Sequence, residues 1–159
     1  MERAIITDKL KLIEELIDIF KYPTVETIGK YNLNYPINEL EVEYVSLFIA
    51  NYDIKPISLY LSTYVDINTP DLLEKLTNIF KAANVEINKD FKERIDHIVI
   101  ILEFFYLLME SEIEKRYLEN FFKNYVQPFN KISEVLKSRT NNKFFLSGAE
   151  KLIQLCQGF

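Results

Sequence analysis

The sequence predicts an all-α bundle of about seven to eight helices, and three observations carry that expectation. Apolar residues recur at helical spacing through most of the chain, no pair of segments alternates with strand period, and only three glycines and five prolines punctuate 159 residues. With 48% hydrophobic and 27% charged residues the composition is globular, and the length suits one domain over 1–159.

Leu10, Ile13, Leu16, Ile17 and Phe20 set the first helix, with Thr7 or Asp8 as its N-cap. Tyr22-Pro23 ends it, because the residue before a proline is pushed out of the α region. A short helical stretch over 24–30 leads into a polar loop at 32–36. Asn38 then opens a helix, with Glu41 completing a capping box and Leu40, Tyr44, Leu47 and Phe48 on its apolar face. Pro56 interrupts 52–71, where 58–64 forms either a short helix or an extended stretch. Thr69-Pro70 restarts the chain with a capping hydroxyl and a proline at the first helical position. That helix carries Leu72, Leu73, Leu76, Ile79 and Phe80 and stops near Asn84, before a charged loop at 88–92.

Residues 94–111 are apolar on nearly every side, the pattern of a central helix in a bundle. Ile113, Tyr117, Leu118, Phe121, Phe122 and Tyr125 then form an amphipathic helix, which Pro128 breaks or kinks. Ile132, Val135 and Leu136 mark a further short helix, and 140–142 make a turn. A last helix runs from about Lys143 to Gln157, with Phe144, Phe145, Leu152, Ile153 and Leu155 facing in.

The totals exclude several functions. Acidic residues outnumber basic ones by 24 to 19, a poor balance for binding a phosphate backbone and a mildly favourable one for a cationic peptide. Cys156 is the only cysteine, so neither an internal disulfide nor a thiolate metal cluster forms within one chain. The N-terminal segment mixes acids into its apolar stretch and reads as neither a secretory nor a twin-arginine signal. The longest apolar run, 98–109, contains Glu103 and is far short of the roughly 20 residues a membrane span needs. These points predict a cytoplasmic protein.

His97 is the only histidine, which removes histidine-based metal centres and the His-Asp phosphohydrolase pattern. Glycines at 29, 148 and 158 build no phosphate-binding loop and no nucleophile elbow. The expectation is therefore a non-enzyme with no metal and no cofactor of its own. Asp96, Ile100 and Glu103 fall at i, i+4 and i+7, which places both acids on one helix face. The bland assignment pairs Asp96 with Arg94 and lets Glu103 hold a neighbouring loop by its amides; the functional one points an acid into a groove. Tyr44, Tyr60 and Tyr64 gather around the irregular segment, and tyrosines combine apolar area with a hydroxyl, as a half-apolar peptide groove requires. Core padding is the plainer use of such aromatics.

Four stretches in order resemble one family. Asp96 to Phe105, DHIVIILEFF, is similar to the Asp-His-hydrophobic run of the TorD/DmsD/NarJ chaperones for molybdenum-cofactor oxidoreductases. LEVEYVSLF (40–48) resembles that family's acidic, Tyr-containing segment, PISLYLSTY (56–64) its Ser-x-Tyr segment, and FFKNYVQPF (121–129) its aromatic helix end. Departures are Arg94-Ile95 where proline often precedes the Asp-His pair, Ile101 in place of an acid, and Phe129 where the family has tryptophan. The resemblance implies a TorD-like fold and a cytoplasmic chaperone. Such a chaperone binds the apo catalytic subunit of a molybdopterin oxidoreductase, through a twin-arginine signal or its remnant, during cofactor insertion and export proofreading. It also implies a peptide-binding region made of Asp96 and His97, with Tyr44, Tyr60, Tyr64 and Glu103 nearby. The partner is that subunit or its leader peptide, and the chaperone is a monomer or a homodimer. The competing expectation is a helical dimerisation or regulatory protein.

Overall fold

The computed structural model describes residues 2–159, and helices dominate it because the apolar stripes can be buried only against one another. Eight α-helices occur among these residues: α1 (Glu2–Phe20), α2 (Val25–Tyr31), α3 (Ile37–Phe48), α4 (Thr69–Ala82), α5 (Ile98–Glu110), α6 (Lys115–Phe121), α7 (Lys131–Arg139) and α8 (Lys143–Gln157). The most apolar of them, α5, lies at the centre, with Ile98, Ile101, Leu102 and Phe105 fully buried. Helix α1 packs on α5 and α8, and α7 closes against α8. Gly148 lets α8 approach α1: a Cβ there would stand 2.9 Å from the Ile19 Cγ2. Edge-on contacts of Phe48 with Phe20, Tyr44 and Phe145, at 5.0–6.0 Å between ring centres, join α1, α3 and α8.

Polar ties fix the shorter elements. Asp18, buried on α1, accepts from the Lys30 Nζ at 2.7 Å and the Tyr31 hydroxyl at 2.5 Å, which anchors α2. Asn32 and Asn84 follow α2 and α4 in left-handed conformation (φ 49° and 58°), which asparagine tolerates better than most residues. Ahead of α8, the Asn142 Oδ1 accepts from the Phe144 and Phe145 amides.

Several expected boundaries shift for identifiable reasons. Helix α1 begins five residues before Thr7, so neither Thr7 nor Asp8 caps it; the Thr7 hydroxyl donates to the Arg3 carbonyl inside the helix. The apolar stripe marks where α1 meets the core, whereas the helix continues beyond it into solvent. Helix α3 starts from Pro36 with no capping side chain, so the Asn38–Glu41 box does not form. In α4 the cap is Asn68, whose Oδ1 accepts from the Asp71 amide at 3.0 Å, and Thr69 is already helical. Pro128 lies in a 3-10 turn (Gln127–Asn130) behind a π-turn (Phe122–Val126), since a residue without an N–H cannot continue the α ladder. Val135 is exposed and Ile153 only half-buried.

Candidate functional site

The irregular segment between α3 and α4 is strapped to the start of α5. The Ile98 amide donates to the Leu59 carbonyl at 2.8 Å and the Leu61 amide to the Asp96 carbonyl at 2.9 Å, which makes a single antiparallel bridge between Tyr60 and His97. A 3-10 turn, Leu61–Thr63, follows, so 58–64 is first extended and then helical. This strap seats Tyr60 and His97 in a cleft of about 530 Å³, within the size range of ordinary ligand pockets. Tyr22, Tyr44, Phe48 and Ile49 form one side, while 90–93 form the other.

His97 caps α5. Its Nδ1 accepts from the Val99 amide at 3.1 Å, which leaves the ring proton on Nε2. Tyr60 and Phe91 stand edge-on to the imidazole at 5.3 and 5.7 Å. Burial depresses its pKa, against the opposing pull of Glu93 and Asp96, so the ring is a neutral donor at physiological pH. The Tyr60 hydroxyl donates to Glu93, and burial with that carboxylate raises the phenol to about 12. Tyr44 is buried and donates to the Phe20 carbonyl at 2.6 Å, so it lines the cleft with its hydroxyl already used.

Asp96 occupies a different place. It precedes α5, because the extended backbone of His97 (φ −64°, ψ 140°) takes it off the helix. The expected face shared with Glu103 therefore does not exist. Asp96 is completely buried, with its Oδ1 2.6 Å from the Arg94 Nε and its Oδ2 accepting from the Arg94 Nη2 at 3.1 Å and the Ser62 amide at 3.0 Å. Burial alone would push its carboxyl up, but the guanidinium and the amide more than offset this and hold it below the usual range. Arg94 also donates to the Ser62 hydroxyl and lies over the Tyr60 ring, 4.6 Å from its centre. This fork pins the 85–95 loop to the strap. Tyr64 faces away from the cleft: its hydroxyl donates to the Ser58 carbonyl and its ring meets Phe129.

Glu103 opens onto a second groove of about 450 Å³, walled by Phe80, Phe91, Ile100, Phe104 and Leu107. Its side chain makes no hydrogen bond or ion pair among the described residues, and apolar surroundings raise its pKa, with Lys21 partly opposing. The anticipated hold on a loop by backbone amides is not formed. Glu86 and Asp90 join Glu103 in this groove. Asp90 and Phe91 line both depressions, so the loop forms the ridge between them. The structure thus brings Tyr44, Tyr60 and His97 together, sets Glu103 across the ridge, and leaves Asp96 and Tyr64 outside both linings. Glu86, Asp90 and Phe91 escaped the sequence reading, which saw only a charged loop; the one available signal was an aromatic residue inside it.

The arrangement combines internally used hydrogen bonds with open apolar walls. Among the described residues no three His, Cys, Asp or Glu side chains are placed to hold a metal ion. No described helix is long and apolar enough to cross a membrane. The family model of the nitrate reductase delta subunit matches residues 22–134, well over half of the sequence, and so spans the strap, the loop and all of α5. The chain belongs to this family of NarJ/TorD-type chaperones. Its fold is also that of a crystal structure described as a candidate redox enzyme maturation protein from Archaeoglobus fulgidus. The TM-score is 0.58 at 18% identity, covering 94% of this chain and 93% of the other. A search of curated proteins returns no match. The family expected from the four ordered motifs and the all-α bundle expected from the helical periodicity are thus both found.

Proposed function

We propose that this family member is a cytoplasmic chaperone for a molybdopterin oxidoreductase. It binds the apo catalytic subunit through a leader peptide or its remnant, holds it for cofactor insertion and delays export until insertion is complete. The observation that carries the peptide-binding part is the cleft at the head of α5, where Tyr44, Phe48 and Tyr60 line the walls beside a neutral His97 whose ring proton is on Nε2. An extended peptide presents carbonyl oxygens that such a donor can meet, and apolar side chains that Tyr44 and Phe48 can cover. The family membership supports the same reading, as does the description given to the Archaeoglobus fulgidus neighbour.

The test is co-purification with the catalytic subunit of a molybdopterin oxidoreductase, made with and without its cofactor. Retention of the apo subunit and loss of the loaded one is the expected result; equal retention, or none, contradicts the proposal. A second reading, a helical protein whose role is self-association, draws on the exposed Val42, Ile49, Tyr52 and Ile54. A stable dimer with no affinity for any oxidoreductase subunit would favour it.

A further inference from the structure

We propose that residues 88–93 form a lid over His97 that opens when the imidazole takes up a proton. The inference concerns the cleft itself and stands whether or not a peptide enters it. The loop is fixed at both ends. Ahead of it, the Val85 amide donates to the Phe80 carbonyl at 2.9 Å. Behind it, Arg94 is held in the Asp96 fork. Between these posts the loop bonds mainly to itself. The Asn88 Oδ1 accepts from the Asp90 amide at 2.9 Å, and the Asn88 carbonyl accepts from the Phe91 amide at 3.0 Å. Among the described residues, the one hydrogen bond from 88–93 to another element is the Tyr60 hydroxyl donating to Glu93. Phe91 is the only one of the six that is not exposed, and its ring stands edge-on to His97 at 5.7 Å.

The lid therefore rests on the imidazole and on the tyrosine beside it. His97 is only 6% exposed, and its neutral ring fits this place because Nδ1 accepts from the Val99 amide at 3.1 Å. A proton on Nδ1 turns that acceptor into a donor facing an N–H, and sets a charge among aromatic rings. The carboxylates around it are engaged or ride on the lid. Asp96 is filled by Arg94 and the Ser62 amide, Glu93 by the Tyr60 hydroxyl, and Asp90 lies on the loop itself. Lys21 and Lys92, on either side of the cleft, add like charge. Of the phenols, Tyr44 donates to the Phe20 carbonyl and Tyr22 to Glu41. The cation is thus relieved by reaching water. The strap cannot yield to admit it, since Leu59 and Leu61 are buried in the core. The exposed loop can. Burial lowers the pKa of the ring, so the closed lid is fully favoured above the ordinary 6.5 and is lost as pH falls through the lower, buried value.

The test follows the full-length, isotope-labelled chain by NMR from pH 7.5 to 5. The His97 ring protons report its titration, and amide nitrogen relaxation reports the order of 88–93 and of α5. Order parameters in 88–93 are expected to fall from about 0.85 to below about 0.6, while those at Ile101 and Phe105 hold. The fall should share its midpoint with the His97 ring. His97→Asn keeps a capping acceptor and cannot titrate, so its lid should stay ordered throughout. Should that variant unfold, the coincidence of the two midpoints in the native chain is the test by itself. A ring that titrates under an ordered lid overturns the proposal, as does a ring that stays neutral until the whole chain unfolds. Equal loosening of the loop in native and variant overturns it too.

Discussion

Asp96 and Glu103 stand seven residues apart and look alike in the sequence, yet the fold treats them in opposite ways. Asp96 is fully enclosed and every oxygen is used, by the Arg94 fork and the Ser62 amide. Glu103 lies on an exposed turn of α5, among apolar walls, with no hydrogen bond or ion pair among the described residues. A buried carboxylate that is completely satisfied is part of the scaffold, whereas one in contact with water contributes little to it. The comparison separates a structural acid at the head of α5 from a solvent-facing one further along the same helix.

The largest expected effect breaks the scaffold half of that contrast. Arg94→Ala leaves Asp96 enclosed without its cation, and should destabilise the fold by about 3 kcal/mol, measured by urea denaturation at neutral pH. A loss below about 1 kcal/mol would mean that the fork is a surface pair of little consequence. Because the native pairing depresses the Asp96 carboxyl, the stability it supplies is fully present above its ordinary value of 3.8. It is lost as pH falls through the lower, folded value. Native and variant should accordingly converge in strong acid.

A smaller effect concerns His97, the residue between the two acids. Its pKa is lowered by burial, so the unfolded chain takes up a proton first as pH drops. The stability tied to the neutral ring is complete above the ordinary 6.5 and is lost as pH falls through the folded value. His97→Asn keeps a capping acceptor and removes the titration. Denaturation of both proteins between pH 7.5 and 5 should show the native chain losing up to about 1.4 kcal/mol per pH unit relative to the variant. Parallel profiles would place His97 in contact with water.

Much of the scaffold was legible from the residues. The run at 98–109 reads as a central helix because no face of it is polar, and α5 is that helix. The aromatic cluster of Tyr44 and Phe48 falls on the expected face of α3. The caps were less legible, since the apolar stripe reports where a helix meets the core and not where its hydrogen bonds begin; α1 runs on into solvent ahead of Leu10. The shared face of Asp96 and Glu103 failed for a related reason. Helical spacing holds only inside a helix, and one extended residue, His97, separates them. The groove itself lay beyond sequence reasoning, because Glu86, Asp90 and Phe91 belong to a loop with no period to place it against α5. Arg94 was the exception in that loop: its nearness to Asp96 anticipated the pair the structure forms.

The division of labour between the two acids can be observed directly by carboxyl carbon NMR. Asp96 Cγ and Glu103 Cδ would be followed from pH 7.5 to 3. The account predicts that Glu103 titrates above its ordinary range. Asp96 should titrate below its ordinary range, held there by Arg94 and the Ser62 amide. An Asp96 that titrates at or above the ordinary carboxylate range would contradict the account and place its charge outside the Arg94 fork.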